Sequence, residues 1–357
     1  MPRSAVLSRS TAGNAHMTTF TKDGLGPRGV KWRRVVGIAV CSVLAIWILI
    51  EATLFIQSIQ ARAEEQGTLL KIGFSPDWEY GGRKKLAHKL TNRAPGELEK
   101  VVAYMNDVYQ PDIVVGGGDY VESSGVKPEK AKEQLLLINS IFSKLHAPRL
   151  YAIGNHDMRS LTKAEVLEIL GLSEAHTIRD IGDWRLVVFD TNFDKNTDDD
   201  RGAKSYTVGY VSRSELEWLR RALETDRPTI VFSHHSPVTT LNIEGALSTN
   251  ISNAEAVRAI FEHAPHVIAV VSGHTPRPQY QEYNGVHYFV GDTLVNETGL
   301  GAFATIDAYY NPFSKQAEIV FEHYGQNRQS YAAQENIVDD MWANWWRMTR
   351  EQWALKF

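Results

Sequence analysis

The chain has 357 residues, 43% apolar and 22% charged, a globular composition with room for one large or two small domains. Its single cysteine, Cys41, lies in the most apolar stretch, so the rest of the chain needs no disulfide and holds neither a cysteine nucleophile nor a cysteine-ligated zinc. Seven Lys/Arg against Asp23 leave residues 1–34 at +6; with Glu51 at −1 and the whole chain at −4, residues 57–357 carry −9, and such an acidic body argues against nonspecific nucleic-acid binding.

The first predicted element is "VVGIAVCSVLAIWILIEATLFI" at 35–56, apolar apart from Glu51. A helix of that length, at about 1.5 Å per residue, crosses a hydrocarbon layer about 30 Å thick. "KWRR" precedes it, and a positive flank stays on the cytoplasmic side. The expected order is a basic cytoplasmic tail (1–34), a transmembrane signal anchor (35–56), a polar stalk (57–68) and a catalytic body outside the cytoplasm. One alternative is a cleaved signal peptide with Ala61-Arg62-Ala63 as its cleavage site, and a twin-arginine signal at Arg33-Arg34 is a variant of it.

The body then alternates. Strands are predicted at 69–75, 112–119, 149–157, 185–192 and 228–235, and again in "HVIAVVSGH" (266–274). Helices are predicted at 97–109, 128–145, 212–224 and 253–264, the third opened by Ser212 or Ser214 with a glutamate three residues on. "VHYFVGD", "AFATIDAYY" and "QAEIVFEHY" follow as a run of adjacent, antiparallel strands. The pattern predicts an α/β fold, a two-sheet β-sandwich flanked by helices.

Five of the apolar strands run into polar clusters: "SPDWE", "GGGDYVE", "GNHD", "SHHSP" and "SGHTP". Ligands of α/β folds gather beyond the carboxyl ends of strands. That rim would collect Asp77, Asp119, Asn155, His156, His234, His235 and His274. Each cluster alone is weak; a Gly-Asp after a strand is usually a turn. Their ordered series over 200 residues is what carries information. Carboxylate, amide and imidazole donors without sulfur suit Mn²⁺, Fe²⁺ or Zn²⁺. Two such ions sharing a carboxylate polarise phosphoryl oxygens and turn a bound water into hydroxide.

On these motifs, residues 69 to about 325 resemble the calcineurin-like metallophosphoesterases. The resemblance implies that Asp77 ligates a first metal and that Asp119 bridges both. Asn155, His234 and His274 would complete the second. His156 would hydrogen-bond the phosphate or protonate the leaving group, and Asp157 would orient it. The implied activity is hydrolysis of a phosphomonoester, phosphodiester or pyrophosphate, with lipid- or cell-envelope-derived esters among the candidate substrates.

Two positions depart from the family pattern. Glu79 stands where the first motif has histidine, and Pro276 where the last has its second histidine. Both missing histidines belong to the first metal. Asp77, Glu79 and Asp119 would make that position all-carboxylate, suited to a harder ion such as Mg²⁺ or Mn²⁺. One or two divalent ions are therefore expected. The rival reading is a regulatory module that kept the fold and binds a metal or phosphate ligand without turnover.

Other features have plainer readings. "DKNTDDDRG" (194–202) spaces oxygens like a calcium loop but reads first as a solvated acidic loop. Asn250 and Asn296 open glycosylation sequons. The loop 236–250 follows His235 and is expected to line the site. Residues 326–357 are expected to form a Trp-rich helical extension, with Trp342, Trp346 and Trp353 on one face for docking on a protein or a membrane interface.

Overall fold

The computed structural model describes residues 40–54, 67–325 and 329–336. Residues 40–54 form helix α1. No helix among the described residues is long and apolar enough to cross a membrane. The basic tail, the ends of the 35–56 stretch, most of the stalk and the Trp-rich terminus lie outside the described residues.

In the body, β1 (Thr68–Ser75) leads through α2 (Ala94–Tyr104), β2 (Ile113–Gly116) and α3 (Pro128–Phe142) to β3 (Arg149–Tyr151). Then come α4 (Lys163–Leu170), β4 (Thr177–Ile181), β5 (Trp184–Val188), α5 (Arg213–Ala222) and β6 (Thr229–Ser233). A small ribbon, β7 (Thr240–Leu241) and β8 (Leu247–Ser248), precedes α6 (Ala254–Glu262) and β9 (Val267–Ser272). The remaining strands are β10 (Gln279–Tyr283), β11 (Val286–Val290), β12 (Phe303–Asn311), β13 (Gln316–Tyr324) and β14 (Gln329–Asn336).

Two six-stranded sheets result, in the orders β14-β13-β12-β1-β2-β3 and β10-β11-β9-β6-β5-β4. β1, β2 and β3 run parallel in the first. β5, β6, β9 and β11 run parallel in the second. Parallel strands are covered on both faces, which is why they read as continuous apolar runs. The period-two alternation sorts them. Ile113, Val115, Leu186, Val188, Ile230 and Phe232 point into the core between the sheets. Val114 packs outward with Leu98, Leu135 and Phe142 of α2 and α3. Val187 and Val231 pack outward with Leu219 and Phe261 of α5 and α6.

The structure adds β4, β7, β8 and β10 to the expected elements and differs from the sequence expectation in three further ways. β11 is not beside β12: it pairs parallel with β9 and antiparallel with β10 in the other sheet. The reason is local. Asn284 (φ 51°) and Gly285 (φ 75°) both adopt the left-handed conformation that closes a tight hairpin, folding β10 back on β11. α4 is a further element, opened by a Thr162–Glu165 capping box and closed by Gly171 at φ 72°. Finally, residues 329–336 belong to a strand and not to a helical extension, because β14 pairs antiparallel with β13 along its whole length and carries the sheet past residue 325.

Candidate metal centre

The parallel strands of both sheets end at one rim, and their turns interlock there. In "DWE", Trp78 is fully buried against Tyr120 and Phe142, with ring centroids 4.4 and 4.6 Å away. Its indole N–H donates to the Ser75 carbonyl at 3.0 Å and to Ser75 Oγ at 2.9 Å. This anchor leaves Asp77 and Glu79, on either side, facing the rim at φ 51° and 45°. Asp119 (φ 55°) and His274 (φ 68°) share that left-handed conformation. It costs a residue with a Cβ about 1–3 kcal/mol and tends to gather at functional sites. The first two turns are tied together by Asp77 N–H donating to Gly118 O (2.9 Å) and Glu79 N–H to Asp119 O (2.8 Å). Two glycines are required by close approach: a Cβ on Gly154 would overlap Asp119 Oδ1, and one on Gly273 would overlap Asp77 Oδ2.

Three donors converge on His234 Nε2, four with it. Asp119 Oδ2 and Asn155 Oδ1 each lie 3.2 Å from it, and His274 Nδ1 lies 3.3 Å from it. Two of them are aimed from behind. His234 Nδ1 meets the Gly117 carbonyl at 2.8 Å, so its Nε2 faces inward. Asn155 Nδ2 donates to Tyr206 O at 2.8 Å, which turns the amide oxygen to the same point. Outer partners of this kind fix the tautomer and orientation of metal ligands. The set of two oxygens and two imidazole nitrogens, gathered at His234 Nε2, fits a divalent transition metal.

The charges agree. Burial opposes ionisation of Asp119, but the His234 and His156 charges outweigh it and hold its carboxyl well below the usual range. Burial likewise opposes protonation of His234, yet Asp119 and Asp77 push the imidazole up to about 9. Burial and the neighbouring His234 hold His274 well below the usual imidazole range, so it is neutral and ready to ligate. Burial, with Asp119 and Glu79 adding to it, pushes Asp77 well up. Asp77 is also engaged: both its oxygens accept from the His274 backbone N–H, at 3.2 and 2.9 Å.

His156 stands beside this centre, its Nε2 3.8 Å from Asp119 Oδ2. Its ring is oriented by a residue other than the one expected. Glu122 Oε2 lies 2.6 Å from His156 Nδ1. Burial opposes the Glu122 charge, but bonds from His156 and Ser124 bring its carboxyl down to about 2. Arg159 Nη1 reaches Glu122 Oε1 at 3.3 Å and Ser124 Oγ at 2.6 Å. Asp157 makes a different set of bonds. Its Oδ2 accepts from the N–H groups of Asp119 and Gly154 (both 3.0 Å), its Oδ1 from Tyr120 (2.7 Å) and Val121 (3.1 Å). Asp157 thus holds the Asp119 turn, and the ring of His156 is left to Glu122. "GGGDYVE" contains Glu122, but only the fold shows that it meets an imidazole 34 residues on.

Lys89 was not foreseen at all. Its ammonium pairs with Glu79 Oε1, while Glu79 Oε2 accepts from Thr293 Oγ1 at 3.2 Å. Glu79, Asp119 and His156 still offer three atoms within 4.8 Å of one another. Lys89, His88, Arg159, Asp77, Glu79 and His274 line one cleft of about 430 Å³.

The other marked features resolve as follows. Loop 236–250 contributes Asn242 and Ser248 to the cleft wall. His235 is fully buried, with Nδ1 2.7 Å from Thr191 Oγ1 and Nε2 3.1 Å from the Thr207 carbonyl, so both nitrogens are occupied. In the acidic loop, Asp198 accepts from the Arg213 backbone and guanidinium, and Asp200 pairs with Lys163. No candidate metal cluster among the described residues includes this loop. Asn250 and Asn296 are buried and hydrogen-bonded, Asn250 to Val238 O at 3.2 Å and Asn296 to Asp292 Oδ1 at 3.3 Å, so neither amide is open to a glycan in the folded chain.

Comparison with known proteins follows the same lines. Residues 71–278 match the calcineurin-like phosphoesterase family. A probable cyclic nucleotide phosphodiesterase from Rhodococcus erythropolis is 25% identical over 132 residues, 36% of this chain and 40% of that protein. The chain thus spans less than half the length of that curated relative. The crystal structure of a dimetal phosphatase from Danio rerio superposes with a TM-score of 0.59 at 14% identity, covering 74% of this chain and 98% of that one, which shows a shared fold. With more than half of its length matched, the chain belongs to the calcineurin-like phosphoesterase family.

Proposed function

We propose that the protein hydrolyses phosphate esters with a divalent ion held by Asp119, Asn155, His234 and His274. The convergence of those four donors beside His156 carries this reading. Mn²⁺, Fe²⁺ or Zn²⁺ suits the donor set. When bound, such an ion supplies Lewis-acid polarisation of a phosphoryl oxygen and a nucleophile at neutral pH.

The side chains do the rest. His156 presents Nε2 to the phosphoryl or leaving oxygen while Glu122 fixes Nδ1. Lys89 and Arg159, both on the cleft wall, offset the charge of an anionic substrate. Asp157 keeps Asp119 in place through its four backbone bonds. Loop 236–250 and Thr207 form the part of the wall that selects the alcohol leaving group. The diester is the first class to test, because the relative from Rhodococcus is a probable cyclic nucleotide phosphodiesterase. Monoesters, pyrophosphates and lipid-derived head groups are the others.

The same proposal includes location: a single-pass anchor at 35–56 with a cytoplasmic N-terminus and the body outside the cytoplasm. The apolar stretch behind "KWRR" supports it. The activity is tested with bis-p-nitrophenyl phosphate and p-nitrophenyl phosphate across Mn²⁺, Fe²⁺, Zn²⁺ and Mg²⁺. Turnover that requires metal and disappears in His156→Ala and Asp119→Ala is expected. Absence of any metal-dependent turnover would favour the binding module.

A further inference from the structure

We infer that Lys89 is a built-in cation standing in for the first metal, so that the protein works with a single bound ion. This rests on the metal reading above and concerns the position beside it. Asp119 gathers with Asp77 and His234 on one side and with Glu79 and His156 on the other, and Asp77, Glu79 and Asp119 are 3%, 2% and 1% exposed. A buried carboxylate that keeps its charge needs a positive partner. The two neutral donors that the family pattern supplies are gone, replaced by Glu79 and by Pro276, whose carbonyl instead accepts from Asn296 Nδ2 at 3.4 Å. Glu79 adds a negative charge and Lys89 adds a positive one beside it.

Lys89 is a fixed group, not a passing surface lysine. Its side chain is 15% exposed. Its backbone is clamped on both sides: Lys89 N–H donates to Leu86 O and Leu86 N–H returns to Lys89 O, each at 2.9 Å. The next residue, Leu90, donates to Val295 O at 2.8 Å. The Lys89 ammonium is ion-paired with the buried Glu79 carboxylate. Both Glu79 oxygens are engaged, by Lys89 and Thr293, and both Asp77 oxygens accept from the His274 N–H. An ammonium is a point charge with three donors. Placed here it balances the Glu79 charge without asking for a coordination shell, and it lines the cleft where a phosphoryl oxygen would arrive.

The test counts ions. Full-length protein, freed of metal and titrated with Mn²⁺, is followed by calorimetry and by elemental analysis after desalting. The wild type is expected to hold one ion per chain. Lys89→Ala is expected to gain a second, weaker site, and Lys89→Arg, which keeps the charge, to stay at one. Two tightly held ions in the wild type, or a Lys89→Ala protein that is folded by circular dichroism yet still binds one, would overturn the assignment. Should Lys89→Ala fail to fold, the wild-type count by native mass spectrometry decides by itself. No bound ion in the wild type would instead overturn the metal reading beneath it.

Discussion

His234 Nε2 stands 3.2 Å from Asp119 Oδ2, and in the metal-free protein these two form an ion pair that an incoming cation must take apart. With His234 pushed up to about 9, it is protonated at pH 7 and must lose that proton to ligate. His274 is already neutral. Binding of one ion at pH 7 is therefore expected to release about one proton, not two. Calorimetry in buffers of different ionisation enthalpy reads this directly. Apparent affinity should climb about tenfold per pH unit below pH 9 and level off above it. A raised histidine also stabilises the metal-free fold fully below its ordinary value of 6.5 and loses that contribution as pH rises through about 9. The melting temperature of the metal-free protein should fall across that window. A proton release of zero at pH 7 would contradict the pairing.

Glu122 sets the ring of His156, and its other bonds run to Ser124 and Arg159. Glu122→Gln keeps the shape and removes the charge. It is expected to lower kcat about 10–100-fold, the usual scale for losing an orienting partner, while KM and metal affinity change little. Steady-state kinetics with a chromogenic diester separates the two. An equal loss of metal binding would move Glu122 from catalysis to scaffolding.

Asp157 has the opposite profile. Asn in its place would turn an NH₂ group toward backbone N–H donors that now bond to a carboxylate. Leaving buried donors unpaired costs about 3 kcal/mol. Asp157→Asn is expected to lower the melting temperature by several degrees and to weaken metal binding through the displaced Asp119 turn. A variant as stable as the wild type would show that the turn holds without it.

The anchor has a simple readout. Deleting residues 1–56 is expected to move the protein from the membrane fraction to the soluble fraction without loss of metal binding, because the body carries its own core. A full-length chain that stays soluble would remove the membrane from the proposal.

What the amino-acid sequence settled by itself was local. Apolar runs with period two and period 3.6 identify most strands and helices, since burial dictates those periods. The clusters at strand ends identify Asp77, Asp119, Asn155, His156, His234 and His274 as candidates, because turns after parallel strands share one rim. Whatever depended on distance along the chain was decided in three dimensions. The pairing of Glu122 with His156 joins residues 34 apart, and three bonds to Asp157 join the 119–121 turn to the 154–157 turn. Which sheet takes β11 depended on its neighbours β9 and β10, which its own residues do not name. Lys89 is the clearest case. In the sequence it is an ordinary charge in "LAHKL"; only a clamped loop that sets it on the buried Glu79 gives it the role proposed for it, because a charge acquires its role from what is desolvated beside it.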